Sequence, residues 1–491
     1  MNKYIISIDQ STQGTKALLF DHKARLLHRA DKSHEQIISK EGYVSHDLNE
    51  IYRNVLYVIR QVVEEYGARP EEIVGMGISN QRETTAAWNR ETGDPVCDAI
   101  VWQCARAESL CRAFADEERE YVRKNTGIPL SPYFPAAKMG WILENVREAR
   151  ELADAGKLCL GTIDSWLLFK LSRGMAFKTD YSNASRTQLL NLHSLKWDER
   201  VLNMFHIPME CLPTVCDSNE LFAVTDFEGF LPRPVPVHTM LGDSHGALFG
   251  HGCLQEGMVK TTYGTGSSIM MNVGSDYVES NFGLVTSLAW GMDGKVTYVL
   301  EGNLNYTGAV ITWLKEDLGI IQSAGETESL AMAANPEDRT YLVPAFSGLG
   351  APYWNSNARA IICGMSRVTG KKELVKAALD AIVYQITDIL KAMEKDARVK
   401  IENLCVDGGP TGNAYLMQFQ SDMAEAVIRV PDAEELSGIG AAYMAGIALG
   451  VFTADEAFAN LKYREYTVQM DDIRRQELYT GWVEAVKRLG S

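Results

Sequence analysis

The sequence predicts a layered α/β protein in which one strand-opening unit is used twice. Residues 4–9 form an apolar run that ends on the acid Asp9. The turn Ser11-Thr12-Gln13-Gly14-Thr15 and the alternating run 16–20 follow. Residues 258–263, the turn Gly264-Thr265-Gly266-Ser267-Ser268 and residues 269–273 repeat that order, each set reading as strand, hairpin, strand. Between them lie one-sided helical stripes: Ile51, Val55, Val58, Ile59, Val62 and Val63 within 48–66, and Leu374, Ala377, Ala378, Ala381, Ile382, Ile389 and Leu390 within 374–393. Strands alternating with such helices give α/β layers. Two unrelated hairpins would give the same echo. If it is a duplication, the halves meet near residue 250.

At roughly 150 residues per domain, 491 residues make about three units or two large ones. No Pro-rich or low-complexity tract divides them, so any boundary lies inside compact structure. Lys and Arg number 48 against 64 Asp and Glu, a net charge of −16. Such a surface repels phosphate backbones and anionic lipid heads, which argues against nucleic-acid binding and membrane attachment. With 46% hydrophobic and 23% charged residues, the composition is that of a folded globular chain.

The nine cysteines contain no C-x-x-C pair. Cys97, Cys104 and Cys111 recur every seven residues, which suits one helix face better than a metal cage, and reduced, buried thiols fit a cytoplasmic protein. Asp9 comes too early for a signal-peptide core. The most apolar stretch, 439–452, has 14 residues and three glycines, short of the ~20 a membrane span needs, and reads as a closely packed buried helix.

Several chemistries are absent. There is no G-x-x-x-x-G-K-[ST], no G-x-G-x-x-G and no H-E-x-x-H, and the nine histidines show no ligand spacing. Small hydroxylated glycine turns occur instead at three places: the two hairpins and Asp407-Gly408-Gly409-Pro410-Thr411-Gly412-Asn413. Glycine admits an anion close to backbone amides and threonine hydroxyls add donors, so three such turns around one cleft could hold a nucleotide. Asp9 and Lys16 bracket the first, where an acid could hold Mg²⁺ through water while the cation meets a phosphate oxygen.

Gly242-Asp243-Ser244-His245-Gly246 matches the G-x-S-x-G elbow of hydrolases, but the only later histidines, His245 and His251, are too close to Ser244 to complete a triad. The segment also suits Asp243 as a general base accepting a hydroxyl proton during attack on phosphorus, or as a helix N-cap. Arg82 and Glu83, in the polar run after 73–78, offer donors and acceptors for vicinal hydroxyls, or form a solvated turn. Trp102 could pack on a carbon chain or belong to the core.

Together these segments resemble the FGGY family of carbohydrate kinases. The similarity is carried by GYVSHD (42–47), ISNQRETT (78–85), AIVWQC (99–104), YFPAAKMGWIL (133–143), TDYSNASRT (179–187), TYGTG (262–266), PAFSGLGAPYW (344–354) and residues 407–422. The resemblance implies two ribonuclease-H-like domains of the actin and hexokinase ATPase type, 1–250 and 251–491, around a central nucleotide cleft. It implies Asp243 as catalytic base, Asp9 at the metal–phosphate site with Mg²⁺, and ATP as phosphoryl donor. Thr12, Gln13 and Lys16 then lie in the first phosphate loop and Thr265 in the second, while Gly308, Gly409 and Asn413 meet the nucleotide. Arg82, Glu83, Trp102 and Tyr133 match positions that hold glycerol, beside Ser244 and Ser268.

Those two serines depart from the family's glycerol-phosphorylating members, which carry glutamine and phenylalanine there. Both changes widen and wet the pocket. Glycerol is the leading expected substrate, with a tetritol, pentitol or ketose as the alternative and a non-catalytic actin- or chaperone-like ATP clamp as the rival. Ser11 stands where glycine is usual, and 226–237 lacks the glycine-rich stretch of a sugar-phosphate inhibitor site. Similar proteins form dimers and tetramers; nothing in the sequence argues for either.

Overall fold

Two central sheets repeat one strand order. In the computed structural model, which describes residues 3–490, Tyr4–Gln10, Gly14–Phe20 and Leu26–Ser33 are joined antiparallel. Tyr4–Gln10 then pairs in parallel with Ile73–Asn80, which pairs in parallel with Val235–Gly242. In the second sheet Val259–Tyr263, Ser267–Asn272 and Lys295–Leu304 are the antiparallel three, and Val259–Tyr263 runs parallel to Asn403–Asp407, itself parallel to Val427–Pro431. Five strands therefore correspond one for one, and the hairpin echo is a repeated unit. Edge strands extend both sheets: Ala223–Thr225 in the first, Val285–Met292 and Tyr463–Tyr466 in the second.

Tyr4–Gln10 is buried along its whole length, polar Ser7, Asp9 and Gln10 included, because both faces of its sheet are covered. On one side lies Leu48–Tyr66. Asp47 caps its start by accepting from the Asn49 N–H at 2.8 Å, and Gly67, at φ +77°, ends it. Its apolar stripe packs on Tyr4, Ile6 and Ile8, each fully buried side chain being worth about 1.5–3 kcal/mol. On the other side lies Leu436–Ala448, from the far end of the chain; Ser7 Oγ donates to its Gly438 carbonyl at 2.7 Å.

This helix is the one expected over 439–452, shifted. It stops at Ala448 because Gly450 adopts φ +62°, turning the chain so that Phe452 folds back onto Gly446. It crosses Asp243–Gly250 glycine on glycine: a Cβ on Gly440 would lie 1.9 Å from the Gly246 carbonyl oxygen. The long helix Lys371–Ala397 covers the second sheet and exceeds the expected 374–393 at both ends.

A smaller five-stranded sheet branches from the first after residues 81–84. Its strands Thr85–Asn89, Ala99–Ile100 and Leu158–Thr162 bring the segment holding Trp102 to the end of the main sheet. Here the sequence expectation for cysteine fails. Of the three, only Cys111 lies in a helix, Glu108–Arg112, while Cys97 and Cys104 lie in irregular segments on either side of the strand Ala99–Ile100, which interrupts any helix there. All nine thiols are free, and all but Cys97 and Cys363 are buried. Among the described residues no helix is long and apolar enough to cross a membrane.

Candidate active site

The ends of the two repeated sheets face each other across a cavity of about 640 Å³. Asp243 stands on its wall as the first residue of Asp243–Gly250, directly after Val235–Gly242; the cap position is Gly242, so the N-cap role falls to glycine. Glycine is required there, since a Cβ would lie 2.7 Å from Cγ of Arg82. The Arg82 stem crosses that gap and its Nε lies 3.2 Å from Asp243 Oδ1. Asp243 Oδ1 also accepts from the Ser244 N–H at 2.6 Å.

Arg82 belongs to a group of five charges. Its Nη1 and Nη2 donate to Glu301 Oε2 and Oε1 at 2.9 and 3.1 Å. Arg186 Nε donates to Glu83 Oε1 at 2.6 Å, and its Nη1 lies 3.0 Å from Glu301 Oε2. Burial pushes the Glu301 carboxyl up, but Arg186 and Arg82 outweigh it and hold it well below the usual carboxylate range. Two guanidinium groups face three carboxylates, leaving one net negative charge, and of the three carboxylates Asp243 is the exposed one, at 36% of its side chain. Glu83 sits at φ +54°, a left-handed conformation that stores strain in the turn carrying it.

Trp102 and Tyr133 pack with ring centroids 5.4 Å apart, and the indole Nε1 donates to Thr12 Oγ1 at 2.9 Å, tying this wall to the first hairpin turn. Ser244 and Ser268 also line the cavity and meet at 3.3 Å, the Ser268 hydroxyl donating. Behind them buried Lys260 donates to Thr262 Oγ1 at 3.1 Å and to Ser268 Oγ at 3.5 Å.

Thr265 and the rest of the second turn close the opposite wall. The Gly308 N–H donates to the Gly264 carbonyl and the Ala309 N–H to that of Thr265, each at 3.0 Å. This joins the site to a second cavity of about 800 Å³, where Gly308, Gly409 and Asn413 come together. Asn413 Oδ1 caps the helix Ala414–Ala424 by accepting from the Leu416 N–H at 3.0 Å, and its Nδ2 donates to Thr327 Oγ1 at 3.1 Å.

Asp9 and Lys16 are cross-strand partners beside the first turn. Burial, opposed by Lys16 and helped by Asp243 and Glu435, pushes the Asp9 carboxyl up to about 7. A buried carboxylate so short of positive charge fits a divalent cation. Among the described residues no three His, Cys, Asp or Glu side chains gather, so phosphate oxygens and water would complete its shell.

Three side chains around the first turn already have partners or exposure of their own. The Lys16 ammonium donates to Glu435 Oε2 at 2.6 Å, and Glu435, 419 positions away, also binds Arg29 at 2.6 Å. The Ser11 hydroxyl is spent closing its own turn on the Gly14 carbonyl at 3.0 Å. Gln13 is exposed, and its carbonyl accepts from the His34 N–H at 3.3 Å.

Arg186, Glu301 and Lys138 were not singled out from sequence. Glu301 had a signal: a lone acid after Tyr298-Val299-Leu300 within an apolar strand must be paired.

A paired-sheet cleft with a carboxylate at its wall and two hydroxyl-rich turns defines a phosphotransferase of the actin and hexokinase ATPase fold. The N-terminal domain of the FGGY family of carbohydrate kinases matches residues 4–250 and its C-terminal domain matches residues 259–449. The chain belongs to the FGGY family of carbohydrate kinases and is a kinase. A glycerol kinase of Staphylococcus haemolyticus is 44% identical over 490 residues, 99% of this chain and 98% of that one. Glycerol kinase 1 of Thermotoga maritima is 45% identical over 489 residues, 99% of each chain. The crystal structure of Plasmodium falciparum glycerol kinase with ADP superposes with a TM-score of 0.94 at 32% identity, covering 99% of this chain and 98% of that one. A ligand-bound xylulose kinase of Lactobacillus acidophilus, 20% identical with a TM-score of 0.88 over 100% of this chain and 99% of that one, shares the fold.

Proposed function

We propose that the chain transfers the γ-phosphoryl group of ATP to a terminal hydroxyl of glycerol, giving sn-glycerol 3-phosphate and ADP. The observation that carries this is Asp243, a partly exposed carboxylate whose Oδ1 lies 3.2 Å from Arg82 Nε in a cavity bordered by both phosphate turns. The names of the full-length relatives support glycerol as the acceptor.

Arg82 and Glu83 hold the two remaining hydroxyls, and Trp102 and Tyr133 pack on the carbon chain. The reacting oxygen attacks the γ-phosphorus in line; its proton passes to Asp243 late in the transfer, and the bond to the leaving ADP oxygen breaks. Backbone amides of the turns holding Thr12 and Thr265 stabilise charge developing on the phosphoryl oxygens. Mg²⁺, held at Asp9, would neutralise charge on the β- and γ-phosphates. Gly308, Gly409 and Asn413 bind the nucleoside end. The halves 1–250 and 251–491 act as the two lobes, whose closure excludes water. We place the enzyme in the cytoplasm.

A coupled ADP-release assay over a polyol and sugar panel tests this. Glycerol should give the highest kcat/KM. Turnover that ignores polyols would instead support a nucleotide clamp.

One observation favours a second acceptor. The Ser268–Ser244 pair, backed by Lys260, makes a polar wall able to bond a further hydroxyl, and loss of an apolar wall there weakens contact with a three-carbon ligand by about 1–3 kcal/mol. A tetritol or pentitol would fill that space.

A further inference from the structure

Three of the four side chains assigned to the polyol arrive from separate segments. Glu83 lies in the turn after Ile73–Asn80, Trp102 follows Ala99–Ile100, and Tyr133 precedes the helix Pro135–Asn145. One group touches all three. Lys138, on the first turns of that helix and 0% exposed, donates from Nζ to the backbone carbonyls of Glu83 at 3.4 Å, Trp102 at 3.3 Å and Tyr133. An ammonium has three donors, and here each has its own carbonyl. The same Nζ lies 5.9 Å from the Tyr133 ring centroid, and that ring packs on Trp102.

A buried ammonium is costly to desolvate, and this one does not point into the cavity. What it supplies is spacing. The Glu83 backbone is strained at φ +54°, and the Trp102 segment hangs from a strand of two residues; neither holds its place by regular ladder pairing. We infer that Lys138 is the positioning residue of the acceptor pocket: its ammonium sets the separation of the Glu83, Trp102 and Tyr133 backbones, and polyol affinity depends on it while nucleotide affinity does not. The asymmetry follows from placement of the nucleoside end, because Gly308, Gly409 and Asn413 lie in the other half of the chain, around the second cavity, and of the three residues only Trp102 reaches a phosphate turn, through its single bond to Thr12 Oγ1. The inference rests on the acceptor role proposed for those three residues.

The test is steady-state kinetics of the full-length Lys138→Met enzyme with glycerol and ATP varied in turn. The expected result is a glycerol KM raised tenfold or more with the ATP KM within twofold of wild type. Equal rises in both constants would mark a merely structural lysine and overturn the inference, as would an unchanged glycerol KM. If Lys138→Met fails to bind ADP and so has not folded, Lys138→Arg decides. It keeps the cation and moves its donors, so it should raise the glycerol KM severalfold at constant ATP KM, and an unchanged value overturns the inference. Wild-type turnover on the polyol panel separates the two levels: no polyol-dependent turnover removes the acceptor assignment itself, whereas normal turnover with an indifferent Lys138 variant removes only the positioning role.

Discussion

Arg82 and Glu301 join the two repeated units inside the site, both guanidinium Nη atoms donating to both carboxylate oxygens at 2.9 and 3.1 Å. Arg82 follows a strand of the first sheet, and Glu301 lies within a strand of the second. The residue that contacts Asp243 is thus held from across the cleft, and acceptor geometry is coupled to how the sheets meet.

Glu301→Gln should be strongly destabilising. It leaves two buried guanidinium groups without their shared counter-charge, a loss of about 3–5 kcal/mol. Urea unfolding measures it. A loss under about 1 kcal/mol would mean that the pair is not closed in solution.

Asp243→Asn should reduce kcat by about 10²–10⁴-fold while ADP binding, followed by calorimetry, stays near wild type. An amide keeps the shape but cannot take the proton. A variant retaining more than about a tenth of wild-type kcat would remove Asp243 as the base.

Ser268→Phe should shift preference towards glycerol. The ring would displace the Ser244 contact and fill space beside the acceptor, shrinking the site for a fourth carbon. The ratio of kcat/KM for glycerol to that for a tetritol is the readout, and an unchanged ratio rejects the pocket-size argument.

Stability should fall in mild alkali through His251, whose Nε2 bonds Asp407 Oδ2 at 2.7 Å. Burial alone would push the imidazole down, but Asp407 and Cys405 raise it to about 9. Its folded value lies above the free value of about 6.5, so the stabilisation is complete below about pH 6.5 and is lost as pH rises through about 9. That difference corresponds to about 3 kcal/mol. Urea midpoints at pH 6.5 and 9.5 for wild type and His251→Asn provide the comparison, and equal slopes in the two proteins would disprove the pair's contribution.

Local order was legible in the chain because it is written in neighbouring residues. Alternation around the turns at 11–15 and 264–268 marked both hairpins, and the stripe at 51–63 marked the helix covering the first sheet. Motif resemblance located Asp243, Arg82, Glu83, Trp102 and Tyr133, which the structure brings to one cavity. Tertiary structure alone decided the pairings between distant segments. Glu435 captures Lys16 across 419 positions, Glu301 neutralises Arg82 across 219, and Lys138 gathers three carbonyls from three segments. Such partners are chosen by burial: a charge taken out of water must find its counterpart wherever the packed chain delivers one, and sequence spacing carries no record of that distance.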